Sequence, residues 1–219
     1  MLYVISTPIG NLRDITLRAI DILKSVEYVV AEDTRTTGKL LKAYEIPKKP
    51  YISYNDYNSK KRIPHILELL NQGKDIALVS ENGTPGISDP GYRLIKECVD
   101  KGIKVIPVPG ATAFVPALVS SGLATDKFTF YGFLPKSKKK KADLFKKVRD
   151  DGTTGIFYES CHRIVKTLET LDEIYPESDC CVAREITKKF EEFLRGTPKN
   201  ILNGLGSKPK GEFVLILGK

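Results

Sequence analysis

Residues 76–102 read IALVSENGTPGISDPGYRLIKECVDKG, and this stretch gives the clearest indication of the fold. The apolar run from Ile76 to Val79 is typical of a buried strand, and YRLIKECVDKG has the apolar spacing of a helix. The connection between them is far longer than a strand-to-helix turn requires, and it contains three glycines and two prolines. Glycines allow the backbone to approach a ligand closely, and prolines stiffen the chain. The pattern indicates a strand–loop–helix unit whose loop is shaped around a bound molecule.

The same alternation extends outward from this unit over the first half of the chain. Strand-like runs such as LYVIS and EYVVAE alternate with helix-like segments as far as Gly122, and they are apolar on both faces. This pattern predicts an α/β domain with a parallel sheet. After Gly122 the pattern restarts with KFTFYGF, and strands outnumber helices. We therefore expect two α/β domains, residues 1–122 with a parallel sheet and residues 127–219 with a mixed sheet.

The bulk composition narrows the class of protein. The chain has 35 Lys and Arg against 27 Asp and Glu, a net charge of +8 that fits a polyanionic partner. No apolar run approaches the roughly 20 residues of a membrane span, and the N-terminus lacks the features of a signal peptide, so a cytoplasmic protein is expected.

The four cysteines and two histidines have no zinc-ligand spacing, so we expect reduced, mostly buried thiols and no metal site.

Ligands of open parallel sheets bind beyond the carboxyl ends of the strands, so the loops after the predicted strands are the place to seek a site. Four such loops are rich in glycine, proline or charge: TPIGNLRD (Thr7 to Asp14), EDTR (Glu32 to Arg35), SENGTPGISDPG (Ser80 to Gly91) and PGAT (Pro109 to Thr112). In the third, Glu81 is suited to accept hydrogen bonds from a ribose or an amino group. The small residues of the fourth suit an adenine-sized surface. Neither a Walker sequence nor an ordinary dinucleotide fingerprint is present.

These loops, taken with later segments, carry a resemblance. The matching pieces are TPIGNLRDIT, EDTR, VSENGTPGISDPG, VPGATA, YGFLP, FYESCHR, AREITKKFEEFLRGT and KGEFVLIL. The chain resembles the tetrapyrrole-methylase superfamily of S-adenosylmethionine-dependent methyltransferases, and within it the ribosomal RNA small-subunit methyltransferase I family. The resemblance implies a homodimer, with S-adenosyl-L-methionine folded between two α/β domains of each chain. The implied reaction is methylation of the ribose 2′-oxygen of a cytidine in the decoding centre of 16S rRNA, within the small ribosomal subunit.

The resemblance also implies which residues line the cofactor. They are Pro8, Glu81, Gly83, Ile87, Thr112, Ala113, Tyr158, Ala183 and a residue near Glu212. Two positions depart from the family pattern. The acidic loop usually reads SDAGTP, whereas this chain has Glu81 and Asn82, and Cys161 stands where proline is usual. Members of the family often continue past the final strand into a helical extension, which we do not expect in this chain.

A ribose hydroxyl is a poor nucleophile until its proton is removed, so a general base is expected. Glu32 and Asp33 rank first because their loop belongs to the same edge, and Asp14 and Glu159 are further candidates. Arg35 is suited to bind a phosphate or to fix a carboxylate. The alternative for Glu32 and Asp33 is capping of the helix that follows them, and it carries equal weight.

The lysine-rich segment from Lys136 to Arg149 has the composition of a phosphate-binding surface. The predicted RNA contacts are Arg13, Lys138, Lys139, Lys140 and Lys141. All four consecutive lysines reach a phosphate backbone only if they lie on a loop, since one helix face cannot present them together. The alternative is a solvated lysine run.

Two other functions compete with the RNA methyltransferase. One is a small-molecule methyltransferase acting on a tetrapyrrole, which the basic charge argues against. The other is a basic ribosome-assembly factor without catalysis, whose altered Glu81-Asn82 loop no longer binds the cofactor.

Overall fold

The computed structural model describes all residues from Met1 to Lys219. They form two compact units, Met1–Thr112 and Ala113–Lys219, each built on one five-stranded sheet. The first sheet is entirely parallel and the second is mixed, which confirms the predicted fold class. No helix combines the length and apolar character needed to cross a membrane.

The first unit has the strand order β3-β2-β4-β1-β5. Its strands are β1 (Leu2–Ile5), β2 (Tyr28–Ala31), β3 (Tyr51–Ser53), β4 (Ile76–Val79) and β5 (Val105–Val108). Its helices are a 3₁₀ turn (Leu12–Asp14), α1 (Leu17–Ser25), α2 (Thr34–Ala43), α3 (Ser59–Asn71) and α4 (Tyr92–Asp100). One cluster of buried side chains joins the sheet to α1 and α2, and another joins it to α3 and α4. The central strand β4 is therefore buried throughout, as its apolar sequence predicts.

The second unit has the strand order β6-β7-β10-β8-β9, with β6 parallel to β7 and all other pairs antiparallel. Its strands are β6 (Phe128–Phe133), β7 (Thr154–Ser160), β8 (Cys180–Arg184), β9 (Glu192–Gly196) and β10 (Glu212–Leu217). Its helices are α5 (Phe114–Val119), α6 (Lys138–Asp151), α7 (Ile164–Ile174) and α8 (Pro198–Leu205). The last three pack their apolar side chains on one face of the sheet.

The division between the units falls earlier than the predicted boundary near Gly122. Helix α5 lies against β7 and β10 of the second sheet, so it belongs to the second unit from Ala113 onward. The alternation of strands and helices in the sequence predicts that this helix belongs to the first domain. That prediction differs from the structure because the order of elements along the chain does not reveal on which sheet a helix packs.

Helix α6 begins at Lys138, so the four consecutive lysines form its first turn and not a loop. Lys141 is 4% exposed, and its Nζ donates to Thr167 Oγ1 at 2.7 Å. Thr167 Oγ1 in turn donates to Glu159 at 2.8 Å, and the Arg163 guanidinium pairs with the same carboxylate at 2.6 Å. Burial lowers the pKa of Lys141. These side chains form a buried polar network that joins α6, β7 and α7.

All four cysteines are free, and three of them are buried. Burial raises the pKa of Cys98 to about 11, of Cys180 to about 12 and of Cys181 to about 11. The expectation that most of the thiols are buried is confirmed.

Candidate active site

The four loops singled out in the sequence lie side by side, because their strands are neighbours in the order β2-β4-β1-β5. We call these loops, residues 7–14, 32–35, 80–91 and 109–112, together with Ser6, the carboxyl-end rim. The connection after β1 leads to α1 on one face of the sheet, whereas the connection after β4 leads to α4 on the other. Neighbouring strands whose connections lead to opposite faces mark the position at the strand ends where ligands of such sheets bind.

The loops after β1 and β4 are tied to each other by backbone hydrogen bonds. Thr7 N–H donates to the Gly83 carbonyl at 2.8 Å, and Gly83 N–H donates to the Thr7 carbonyl at 3.1 Å. Gly83 has φ +84°, and a β-carbon there would lie 3.2 Å from Ile9 Cγ2. Glycine is therefore required both by the backbone conformation and by the close approach of the two loops.

A group of hydroxyls extends this link to the loop after β5. Thr84 Oγ1 lies 2.8 Å from Ser6 Oγ and 2.5 Å from Thr112 Oγ1, and it donates to the Ala111 carbonyl at 3.0 Å. Sequence reasoning named Thr112 but missed Ser6 and Thr84. The sequence feature that could have identified Ser6 and Thr84 is their position in loops that directly follow a predicted strand.

Glu32 lies at the end of β2, half-buried. Burial raises the pKa of Glu32, the carboxylates of Glu81, Asp56 and Asp33 raise it further, and a hydrogen bond from the Glu81 backbone opposes the shift. A carboxyl group with a raised pKa is better matched to accepting a proton near neutral pH. Glu32 thus has the electrostatic properties of a general base.

Asp33 is the N-cap of α2. Its carboxylate accepts from the backbone N–H groups of Arg35 at 2.7 Å and Thr36 at 3.3 Å, and it pairs with the Arg35 guanidinium at 3.1 Å. The Arg35 side chain, followed by these backbone bonds, lowers the pKa of Asp33 to about 2. An acidic, fully engaged carboxylate is a weak base, so the capping interpretation describes Asp33. The Arg35 side chain is 88% exposed and remains open to a phosphate.

The remaining rim residues differ in accessibility. Pro8 is buried, Ile87 is half-buried and Glu81 is exposed. Thr36 Oγ1 donates to a Glu81 oxygen at 3.5 Å, a long bond that leaves the carboxylate room for further donors. Asp14 is exposed on the 3₁₀ turn.

The cofactor residues predicted in the second unit lie together on its sheet. Tyr158, Val214 and Ala183 are register partners on β7, β10 and β8, and Glu212 lies two residues before Val214. Alternation along a strand therefore places Tyr158, Ala183 and Glu212 on one face, opposite the face covered by α6, α7 and α8. Ala113 precedes α5. Their role in binding the cofactor stays a prediction.

Glu159 and Lys141 lie in the interior of the second unit, where both belong to the buried polar network. The Glu159 side chain is fully buried and bound by Arg163 and Thr167, so it has a structural role and is not exposed to a substrate. Lys141 is likewise removed from the RNA-binding surface. The other predicted contacts, Arg13, Lys138, Lys139 and Lys140, are exposed, and Lys138 pairs with Glu173 at 2.6 Å.

Comparisons with known proteins agree with this architecture. A family model described as "Tetrapyrrole (Corrin/Porphyrin) Methylases" matches residues 1–202. Among solved structures, the methyltransferase CobJ superposes with a TM-score of 0.74 at 17% identity, covering 100% of this chain and 93% of that one. Cobalt precorrin-4 methyltransferase superposes with a TM-score of 0.67 at 18% identity, covering 99% and 94%. At these identities the likeness shows the fold.

Sequence relatives are much more similar. "Ribosomal RNA small subunit methyltransferase I" of Pasteurella multocida is 46% identical over 99% of this chain and 78% of its own length. The protein of the same name from Thermotoga maritima is 45% identical over 99% of this chain and 97% of its own length. The chain therefore belongs to the tetrapyrrole methylases and, within them, to the ribosomal RNA small subunit methyltransferase I family.

Proposed function

We propose that this protein transfers a methyl group from S-adenosylmethionine to the 16S rRNA of the small ribosomal subunit, at the ribose 2′-oxygen of a cytidine in the decoding centre. The observation that carries the proposal is Glu32, a half-buried carboxylate with a raised pKa beside three loops locked together at the carboxyl-end rim. The printed names of the relatives support RNA of the small subunit as the substrate.

The rim residues fit the cofactor. Gly83 lies where the loops after β1 and β4 meet, and a β-carbon there would be 3.2 Å from Ile9 Cγ2, tighter than an ordinary contact. The exposed Glu81 carboxylate supplies acceptors for ribose hydroxyls or an amino group, and the small Ala111 and Thr112 leave space for a flat base. When bound, S-adenosylmethionine supplies a methyl group already activated by the sulfonium.

The residues of the chain have the remaining tasks of positioning the acceptor and removing its proton. Glu32 takes the proton of the ribose hydroxyl at its carboxylate, which its burial makes more basic than an exposed glutamate. Arg35, anchored by Asp33 through the capping bonds, presents its guanidinium to a backbone phosphate. Holding the hydroxyl in line with the methyl group contributes through proximity and orientation.

Net charge favours RNA over a tetrapyrrole. The chain carries +8, and Arg13, Arg35, Lys139 and Lys140 are exposed cations. A polyanion gains affinity from each phosphate that such groups neutralise, whereas a small tetrapyrrole meets few of them. The homodimer and the cytoplasmic location expected from the resemblance belong to the proposal. Sedimentation at equilibrium, with a mass twice that of one chain expected, checks the dimer.

The deciding experiment measures methyl transfer from labelled S-adenosylmethionine to small ribosomal subunits that lack the modification. Naked 16S rRNA and a tetrapyrrole acceptor are run in parallel, and labelled nucleosides are identified by mass spectrometry after digestion. We expect 2′-O-methylcytidine from subunits, and much less of it from Glu32→Gln protein. Label in the tetrapyrrole alone, or in a base, would refute the proposal. If calorimetry detects no binding of S-adenosylmethionine, the methyltransferase proposal is refuted and the assembly-factor alternative is favoured.

A further inference from the structure

The connection between β8 and β9 in the second unit is compact and unusually constrained. It runs from Glu185 to Glu191 as two successive turns, closed by a hydrogen bond from Lys188 N–H to the Glu185 carbonyl and another from Glu191 N–H to the Lys188 carbonyl. Glu185 and Thr187 have φ of +49° and +66°, values that non-glycine residues rarely adopt. Strain of this kind persists only where the surroundings enforce it.

Several contacts enforce the conformation. Lys188 Nζ pairs with Glu185 at 3.0 Å and with Glu212 at 2.7 Å, which ties the connection to β10. Thr187 N–H donates to the Glu191 carboxylate at 2.6 Å, and the Ile186 side chain is buried beneath. Gly211 leaves space for the Glu185 side chain, since a β-carbon there would lie 2.6 Å from Glu185 Cγ. The connection is therefore a rigid platform.

This platform presents an aromatic ring to solvent. Phe190 is 68% exposed, and Lys189 Nζ lies 5.6 Å from the centre of its ring. The adjacent segment before β10 is held to β8 by a 2.7 Å bond from Arg184 to the Lys210 carbonyl, and its Lys208 and Lys210 are exposed. The acidic side chains nearby are engaged, Glu185 and Glu212 by Lys188 and Glu191 by Thr187. The result is an exposed ring beside Lys189, with two further exposed lysines on the segment that is bonded to the end of β8.

We infer that the β8–β9 connection is a binding site for single-stranded RNA, in which a base stacks on Phe190 and phosphates contact Lys189, Lys208 and Lys210. This inference rests on the proposed function, because it assigns a second contact with the same substrate. Flat rings beside basic side chains are the arrangement by which proteins bind unpaired nucleotides, since every base has a face to stack. A platform held rigid before binding loses little conformational entropy when the base stacks.

The chain contains no tryptophan, which makes a direct test available. Phe190→Trp keeps a stacking ring and introduces a single tryptophan, whose emission can be excited selectively. We expect its emission to be quenched by a single-stranded oligoribonucleotide of about ten residues, a typical site size. The same strand with abasic sites in place of bases should leave the emission unchanged.

A matched control is Phe128→Trp. Phe128 is 45% exposed and begins β6 beside Thr154, at the end of the sheet where β8 starts and β10 ends. The β8–β9 connection lies at the opposite end. Emission from this control should not respond to RNA. Quenching in both variants, or by the abasic strand, would show non-specific association and overturn the inference.

Affinity measurements complete the test. Phe190→Ala should bind the oligoribonucleotide roughly tenfold or more weakly, whereas Phe190→Tyr should bind like the original chain. Because Phe190 is exposed, circular dichroism should show all variants folded. Equal affinity of the alanine variant would overturn the inference. A tryptophan emission that changes with protein concentration alone would also overturn it, because it would indicate a second copy of the chain at this surface.

The two proposals fail in different ways. If RNA does not quench the Phe190→Trp emission while methyl transfer is intact, only this inference is refuted. Quenching without any binding of S-adenosylmethionine refutes only the proposed function.

Discussion

Gly83 and Gly73 have nearly identical backbone angles in different surroundings. Their φ values are +84° and +82°, but a β-carbon on Gly73 would meet nothing within 4 Å, whereas on Gly83 it would press against Ile9. Comparing substitutions at the two glycines separates the cost of the backbone conformation from the cost of placing a side chain where the rim loops meet.

We expect Gly83→Ala to abolish or strongly weaken binding of S-adenosylmethionine, because the new methyl group displaces Ile9 and distorts the link to Thr7. Gly73→Ala should lose stability of the order of 1 kcal/mol from its positive φ and keep full cofactor affinity. Calorimetric titration of both folded variants makes the comparison. Equal cofactor affinity in the two variants would remove Gly83 from the binding site.

Glu32 and Asp33 are sequence neighbours whose pKa values are shifted in opposite directions, upward for Glu32 and downward for Asp33. The raised pKa of Glu32 means that the folded protein holds this proton more tightly than the unfolded chain does. Stability from this group is therefore complete below the ordinary glutamate pKa of 4.5 and is lost as pH rises through the higher folded pKa. Ionised Glu32 costs stability at neutral pH, which is consistent with a residue retained for catalysis.

Glu32→Gln should therefore slow methyl transfer by roughly 10²–10⁴-fold and leave cofactor affinity intact. The variant should also unfold at a higher temperature than the original chain at pH 7, with the difference vanishing near the ordinary glutamate pKa of 4.5. Asp33→Ala is the control, since loss of the cap should lower the unfolding temperature while much of the single-turnover rate remains. An active Glu32→Gln protein would leave the base unassigned.

At the scale of elements, α6, β7 and α7 are joined by a polar network as well as by apolar packing. The Glu159 carboxylate is buried between Arg163 and Thr167, and Lys141 reaches it through Thr167. A buried pair is costly to break from one side, because the remaining charge has neither a partner nor water.

Glu159→Ala should lower the free energy of unfolding by about 3–5 kcal/mol, since it leaves Arg163 and Lys141 without their counter-charge. Glu169→Ala, at an exposed position of α7, should change it by less than about 0.5 kcal/mol. Urea unfolding followed by circular dichroism measures both. Similar stabilities would mean that water or rearranged side chains satisfy the buried cations.

These elements also mark how far the sequence predicts the structure. The apolar runs that become β1, β2 and β4, and the glycine-rich loop after β4, could be located because burial on both faces and special backbone angles leave local signals. The lysine run could not be interpreted locally. Its helical start and the burial of Lys141 depend on Thr167 and Glu159, which are distant in sequence. The platform at Phe190 was missed for the same reason, since its rigidity comes from pairing with Glu212.

At the scale of the whole molecule, the excess of basic residues is the property most relevant to an RNA substrate. Binding of a chain with net charge +8 to small ribosomal subunits should weaken steeply as salt increases. The structure removes Lys141 from the predicted lysine surface, because it is buried, and pairs the exposed Lys138 with Glu173, so Lys139 and Lys140 are the members to test.

Changing Lys139 and Lys140 to Ser should reduce the log–log salt slope by about 0.7–0.9 for each phosphate that the protein no longer neutralises, with cofactor affinity unchanged. Lys104→Ser is the control, because Lys104 is exposed before β5, at the amino end of the strand and opposite to the carboxyl-end rim. Filter binding to subunits across a salt series gives the slopes. Parallel lines for all variants would confine RNA recognition to other surfaces.

The backbone ladder between Thr7 and Gly83 has a kinetic consequence. Two loops that already share paired hydrogen bonds do not have to become ordered when the cofactor arrives. Observed association rates in stopped-flow mixing should then rise in proportion to S-adenosylmethionine concentration, without the plateau that a slow preceding rearrangement of this loop would impose. Differences in affinity among variants of the rim should accordingly appear as differences in residence time.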